Sequence, residues 1–271
     1  MTIRRTRFSK AYEALVLVLL AWILLPMLAI VCVSFGVDTL FYSGQGGLTL
    51  RWYLAAWEVG SFRSGIRVSA IVATCATAIA TVIGIAAAIG LSRTSARWAS
   101  AVTTVLLLPI LVPGLVIGIG MLALIAVLGL DIGYGRLIAG HVLIVMPYVL
   151  RTTYASLVTQ GKSLEEAART LGAGEWRILF RITLPIARPG IIAGMLFAFI
   201  LSLDEVALSL FLVDARTTTL PLAVLSYMQF NFDPAISAIS AAQVILTVIA
   251  AVCLERLFGL KNLYGAERGG T

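Results

Sequence analysis

Charged side chains are scarce in this sequence. Only 12% of its 271 residues are Asp, Glu, Lys or Arg, with one histidine and three cysteines. So little charge among so many apolar residues excludes a disordered chain, and 24 glycines without a triplet repeat exclude a collagen. Cys32, Cys75 and Cys253 each fall in an apolar run, which excludes a disulfide scaffold and predicts small buried hydrophobes. One histidine, no metal-spaced cluster and no apparent Ser/His/Asp arrangement argue against a membrane-embedded hydrolase. What the chain has instead is 60% hydrophobic residues and a mean hydropathy of +1.02, which place it in a lipid bilayer. The net charge of +7 would suit a nucleic-acid binder, but the basic residues sit at the ends of apolar segments rather than on one face. No nucleic-acid partner is expected.

A hydrocarbon core needs about 20 apolar residues of helix. Six segments qualify: 14–35, 68–92, 101–130, 137–157, 189–213 and 235–254. The third is long enough to need a bend, which Pro109 and Pro113 supply. The fourth carries His141, Pro147 and Arg151, with His141 expected as a hydrogen-bonded packing residue. Asp233 and Pro234 read as the N-cap and first residue of the sixth. Gly114, Gly118, Gly120, Gly190 and Gly194 are expected to let helices approach closely. Arg4, Arg5, Arg7 and Lys10 precede the first segment as they would a signal peptide. Its apolar run exceeds the 7–15 residues or so of an h-region and no small-x-small site follows, so a retained helix is expected.

Six spans put both termini on one side, and the lysine and arginine count decides which. With the N-terminus inside, fifteen basic residues fall on inner segments and five (Arg51, Arg63, Arg67, Arg136 and Arg216) on outer ones. Both termini are therefore expected in the cytoplasm.

The longest inner connection, about 158–188, has its own helical pattern. Ser163 and Glu166 have capping-box spacing. Leu164, Ala167, Ala168 and Leu171 recur as one apolar stripe, with Glu165 and Arg169 as an i, i+4 pair opposite. Gly172 ends this helix; a second, carrying Trp176, Leu179 and Phe180, is expected to stop at Pro185. Gly161-Lys162-Ser163 is not the end of a phosphate-binding loop, because Ser156 stands where the signature needs glycine.

Glu166-Ala167-Ala168, three residues, Gly172, nine residues, Ile182, one residue and Leu184-Pro185 resembles the EAA loop of binding-protein-dependent ABC importer permeases. The segments Gly47 to Tyr53, Ser202-Leu203-Asp204-Glu205 and Thr218-Thr219-Leu220-Pro221-Leu222 are similar to the second permease of spermidine/putrescine-type importers. The resemblance implies an all-α polytopic membrane protein with six transmembrane helices and the type I ABC importer permease fold. It implies one permease domain over 1–271, with a cytoplasmic coupling hairpin at about 158–188. The chain would be non-catalytic and hold no cofactor of its own, ATP and Mg being bound by two separate ATPase subunits. A homologous permease subunit and a soluble solute-binding protein would be its other partners. Glu166, Ala167, Ala168 and Gly172 carry over as the ATPase-docking surface. Permeases for opines, other amines or ferric ion share parts of these segments. The rival reading, a self-sufficient secondary transporter or channel, predicts function without an ATPase, and no inverted repeat or paired broken-helix pattern supports it.

Asp204 and Glu205 are adjacent acids about 15 residues into the fifth segment, roughly 22 Å along a helix from its start. An acid within the membrane is costly and must meet protein, water or a cation. Neighbouring helix positions diverge by about 100°, so one acid is expected to face the substrate path and the other a neighbouring helix or the partner permease. Asp204 is the candidate for the path; the alternative is that both acids are paired within protein and never meet solute.

Overall fold

Apolar segments fold as helices because lipid offers no partner to a free backbone N–H or C=O. A computed structural model describes residues 7–36, 48–94, 96–130, 133–160, 163–214, 216–231 and 233–258. Arg4, Arg5, Gly47, Gly161, Lys162, Lys261 and Arg268, used in the sequence reading, lie outside the described residues. All regular structure among the described residues is helical: α1 (Arg7–Ser34), α2 (Arg51–Glu58), α3 (Gly60–Arg93), α4 (Trp98–Leu111), α5 (Gly114–Val127) and α6 (Tyr134–Gln160) come first. They are followed by α7 (Ser163–Thr170), α8 (Glu175–Ile178), a π segment (Leu179–Thr183), α9 (Leu184–Asp204), α10 (Ser209–Leu212), α11 (Leu220–Met228) and α12 (Ala235–Phe258).

Among the described residues, four helical stretches are long and apolar enough to cross a membrane: Tyr12–Ser34, Gly60–Arg93, Tyr134–Thr159 and Glu175–Asp204. The pair α4 and α5 is apolar enough to make a fifth if it is one broken span rather than a re-entrant loop, its two helices being bent by 104°. Pro113 stands at that break as the residue before α5, whereas Pro109 is accommodated inside α4. The 24-residue α12 coincides with the sixth expected span, although its apolar stretch, Ala235–Ala250, is shorter. Asp233 caps it as expected, its Oδ1 accepting from the Ala235 N–H at 3.0 Å.

The centre of the bundle is α3, α6 and α9, and small residues bring them together. A Cβ on Gly84 of α3 would sit 2.9 Å from Val149 of α6, and one on Gly194 of α9 would sit 2.7 Å from the Val149 backbone. Gly190 abuts the Thr152 carbonyl, so these glycines are the contact surfaces themselves. Ala80, Ala88, Val145, Val149, Leu150, Ala187 and Ala198 complete the core. Gly120 departs from the expectation, since nothing lies within 4 Å of its would-be Cβ. The cysteines depart too: Cys32 and Cys253 are exposed and Cys75 is half-buried, because their helices turn those positions away from the bundle.

Two helix ends differ from the sequence reading. Pro185 does not terminate the second hairpin helix: Glu175–Asp204 is continuous. Pro185 lacks the N–H that would reach back to Arg181, and its ring would crowd that carbonyl in an α register. The π segment widens the helix just before it, with the Leu184 N–H bonding to the Leu179 carbonyl five residues back. The helix that carries the fifth span therefore begins at Glu175 and ends at Asp204, so the span does not run on to 213. Ser163 is the first residue of α7 rather than its cap, and the position before it lies outside the described residues.

Candidate functional site

The hairpin is shaped by a left-handed glycine. Gly172 has φ +79°, its N–H donates to the Arg169 carbonyl at 2.9 Å, and the Ala173 N–H donates to the Ala168 carbonyl at 3.0 Å. This pair of bonds is a Schellman closure, in which the residue past the helix must adopt positive φ. It ends α7 and redirects the chain into α8. Of the expected docking residues, Glu166, Ala167 and Gly172 are exposed and Ala168 is half-buried. The apolar residues around them are also uncovered: Leu171 is 88% exposed, Trp176 75% and Phe180 61%, with the Trp176 and Phe180 rings stacked at 6.1 Å. An exposed apolar surface of this kind marks a contact with protein or lipid.

The other face of α7 is held by charge. The expected Glu165–Arg169 pair is present at 3.4 Å, and Arg169 Nε also reaches Glu175 at 2.6 Å. Arg93, the last residue of α3, approaches Glu165 at 3.3 Å, and Thr183 donates to the same carboxylate at 2.5 Å. Burial alone would raise the Glu165 carboxyl, but the Thr183 hydroxyl and the Arg93 and Arg169 charges overcome it and hold it below the usual glutamate range. Sequence reasoning missed Arg93 and Thr183, which are 72 and 18 positions from Glu165.

At the far end of α9 the two acids separate. Asp204 is the last helical residue and Glu205 has already left the helix, with ψ 116°, so the expected 100° offset within one helix does not apply. Glu205 Oε1 accepts from the Leu208 N–H at 2.8 Å, closing the turn that leads into α10. Gly114, at the start of α5, is pressed against this carboxylate, and Gly118 against Leu208. The breaks in α4–α5 and α9–α10 therefore meet. Asp204 is exposed, with no hydrogen bond or ion pair among the described residues. His141 is fully buried beside the same break, as its expected packing role requires: Nδ1 lies 2.7 Å from Ser202 Oγ and Nε2 2.9 Å from Ser209 Oγ. One imidazole thus staples the helix before the break to the helix after it. Past α10, Asp214 pairs with Arg136. The Arg216 backbone N–H, then the Thr217 hydroxyl, hold the Asp214 carboxyl below its usual range against the opposing effect of burial, with the Arg136 charge adding to them. The Thr218 to Leu222 motif starts α11 and fixes it to α3, since Ser69 Oγ accepts from the buried Leu220 N–H at 2.9 Å. Among the described residues no three His, Cys, Asp or Glu side chains converge to hold a metal ion.

Residues 80–261 match the family described as "Binding-protein-dependent transport system inner membrane component". The chain belongs to that family. As a member of this family of inner-membrane transport components it is a permease, not a catalytic subunit. It is 31% identical over 250 residues to the spermidine/putrescine transport system permease protein PotC of Haemophilus influenzae, covering 92% of this chain and 96% of that one. It is 33% identical over 222 residues to the putrescine transport system permease protein PotI of Escherichia coli, covering 79% of each. The fold matches a chain of a bacterial ABC transporter that imports the acidic polysaccharide alginate, with TM-score 0.71, 16% identity and coverage of 94% of this chain and 98% of that one. A chain of the MetNI methionine ABC transporter matches with TM-score 0.61 and 19% identity over 72% of this chain and 93% of that one. The all-helical permease architecture expected from the sequence is the one observed.

Proposed function

We propose that this permease is one of two membrane subunits of an ATP-driven polyamine importer of a bacterial inner membrane. It crosses the membrane six times with both ends in the cytoplasm, α4–α5 and α12 supplying the fifth and sixth crossings. Two ATPase subunits bind ATP and Mg and dock on the hairpin, and a soluble solute-binding protein delivers solute at the opposite end. Coverage of nearly the whole length of a spermidine/putrescine permease supports the solute class. The observation that carries the reading is the free Asp204 carboxylate at the end of α9 opposite the hairpin. The 21 residues of α9 separate the two sites by about 30 Å of helix, the thickness of a hydrocarbon core. A solitary carboxylate there favours a cationic solute, and Glu205, used as a turn acceptor, is the acid held by protein. The exposed Leu171, Trp176 and Phe180 beside Ala167 and Ala168 support the docking surface.

The test is uptake by the four-part complex in vesicles. Spermidine or putrescine together with the binding protein should stimulate ATP hydrolysis, and uptake should require both ATPase and binding protein. Uptake by this chain without an ATPase overturns the reading in favour of a secondary transporter. Stimulation by an opine or ferric ion but no polyamine overturns the solute. For orientation, with native cysteines replaced, an impermeant thiol reagent applied from outside should label Thr218→Cys and spare Ser163→Cys. The reverse pattern overturns the topology.

A further inference from the structure

Two acids stand side by side in α7, and only the second belongs to the recognised motif. Glu166 is exposed, with no side-chain partner among the described residues. Glu165, on the other side of the helix, retains 13% of its side-chain exposure and is reached from three elements. Arg93 at the end of α3 approaches both of its oxygens, at 3.3 and 3.4 Å; Thr183 of the π segment donates at 2.5 Å; Arg169 of α7 itself lies at 3.4 Å. Arg93 also bonds Thr183 directly at 3.2 Å and reaches Glu175 of α8 at 3.6 Å. Every member of this knot therefore touches at least one other besides Glu165 or is locked by the fold, Thr183 being fully buried.

The large apolar side chains of the first hairpin helix and its end make no comparable contact, since Leu164 and Leu171 are exposed, whereas the second helix is seated through the buried Ile178. Among the described residues, the side-chain bonds that join the first hairpin helix to the bundle are consequently those of the Glu165 knot. The helix it reaches, α3, is the one whose opposite end carries α11, through Ser69 and Gly65 against Leu220. A push on the hairpin is passed to α3 only as stiffly as that joint allows, and a bonded set of charges is stiffer than an exposed pair because each partner limits the freedom of the next.

We propose that Glu165, with Arg93 and Thr183, is a positioning residue of the transport cycle: it fixes the coupling helix to the hairpin end of α3, so that movement of a docked ATPase is delivered to the membrane helices. The proposal rests on the docking reading above. Two measurements separate the two. In the first, on the full-length chain in membranes, Glu165→Gln and Arg93→Gln should each raise amide exchange across residues 163–170 about tenfold, as local opening becomes easier. In the second, on the complete importer, both variants should still co-purify with the ATPase subunits while uptake per ATP hydrolysed falls about tenfold. The double variant should be no worse than either single one, because the joint breaks once. Unchanged exchange in Glu165→Gln overturns the joint. Raised exchange with uptake per ATP within twofold of wild type overturns the positioning role, as does loss of co-purification, which would make Glu165 part of the docking surface. A wild-type chain that holds no ATPase overturns the docking reading, and this proposal with it, whatever the exchange shows.

Discussion

The hairpin and the α9 break each carry a pair of adjacent acids, and in each pair one is engaged and one is free. In α7 the first acid, Glu165, is held by Arg93, Thr183 and Arg169, while Glu166 is open. At the end of α9 the order is reversed: Asp204 is open and Glu205 closes a turn on the Leu208 N–H. The mechanism differs with the backbone. Within the continuous helix α7, neighbouring side chains diverge by about 100°, so a helix lying on a surface must turn one acid inward and one outward. At the α9 end the helix stops between the acids, and the second is turned back to satisfy a backbone donor that the break has freed. Adjacent acids in a membrane protein thus divide structural from exposed roles, and the local backbone decides which takes which.

The largest effect should come from breaking the hairpin turn. Gly172→Val forces a β-branched residue to φ +79°, although its Cβ would meet no neighbour within 4 Å, so the damage is in the backbone alone. Solute-coupled ATP hydrolysis should vanish while membrane abundance stays near normal; full coupling would sever the hairpin from transport. Next, Asp204→Asn should cut uptake of a polyamine at least about tenfold, equivalent to losing roughly 1.4 kcal/mol of a charge contact, with the assembled complex still recovered. Glu205→Ala should act differently, lowering the level of folded chain through loss of a turn acceptor, a cost of about 1 kcal/mol. Measured uptake corrected for abundance separates the two, and equal per-molecule losses would erase the distinction between the acids.

The tie at Glu165 should also show in pH. Its folded carboxyl lies below the ordinary value of 4.5, so the stabilisation is fully present above that value and is lost as pH falls through the lower folded one. Amide protection of α7 should therefore hold from neutral pH down to the ordinary glutamate range and fail only below it; a loss near neutrality would contradict the ion-paired assignment. The smallest effect belongs to Gly120→Ala, with open space at its Cβ, which should leave thermal stability nearly unchanged.

Much of this was legible beforehand because it is local. The hairpin boundary at Gly172, the Glu165–Arg169 pair, the Asp233 cap and the bend at Pro113 each depend on residues a few positions apart. So does the apolar stripe of Leu164, Ala167, Ala168 and Leu171, since periodicity alone sets which positions share a face, though not that it is left uncovered. The misreadings are of two kinds. Pro185 was expected to end a helix, as proline does when nothing compensates, but a π segment absorbed it. The cysteines, expected as buried because each falls in an apolar run, are not in the core, since a membrane helix also turns apolar positions outward, as α1 does with Trp22 and Leu17.

The sequence by itself determined that the chain is a helical membrane protein, that its hairpin breaks at a glycine and that this hairpin carries the transport-family pattern. The first two follow from transfer free energy and backbone sterics, which act residue by residue, and the third from resemblance to the EAA loop. Tertiary structure alone decided which of two neighbouring acids is tied, which serine pair His141 bridges, and that Arg93 closes on a helix 72 positions away. Such choices depend on how α3, α6 and α9 approach through Gly84, Gly190 and Gly194, and that approach is a property of three surfaces packed at once.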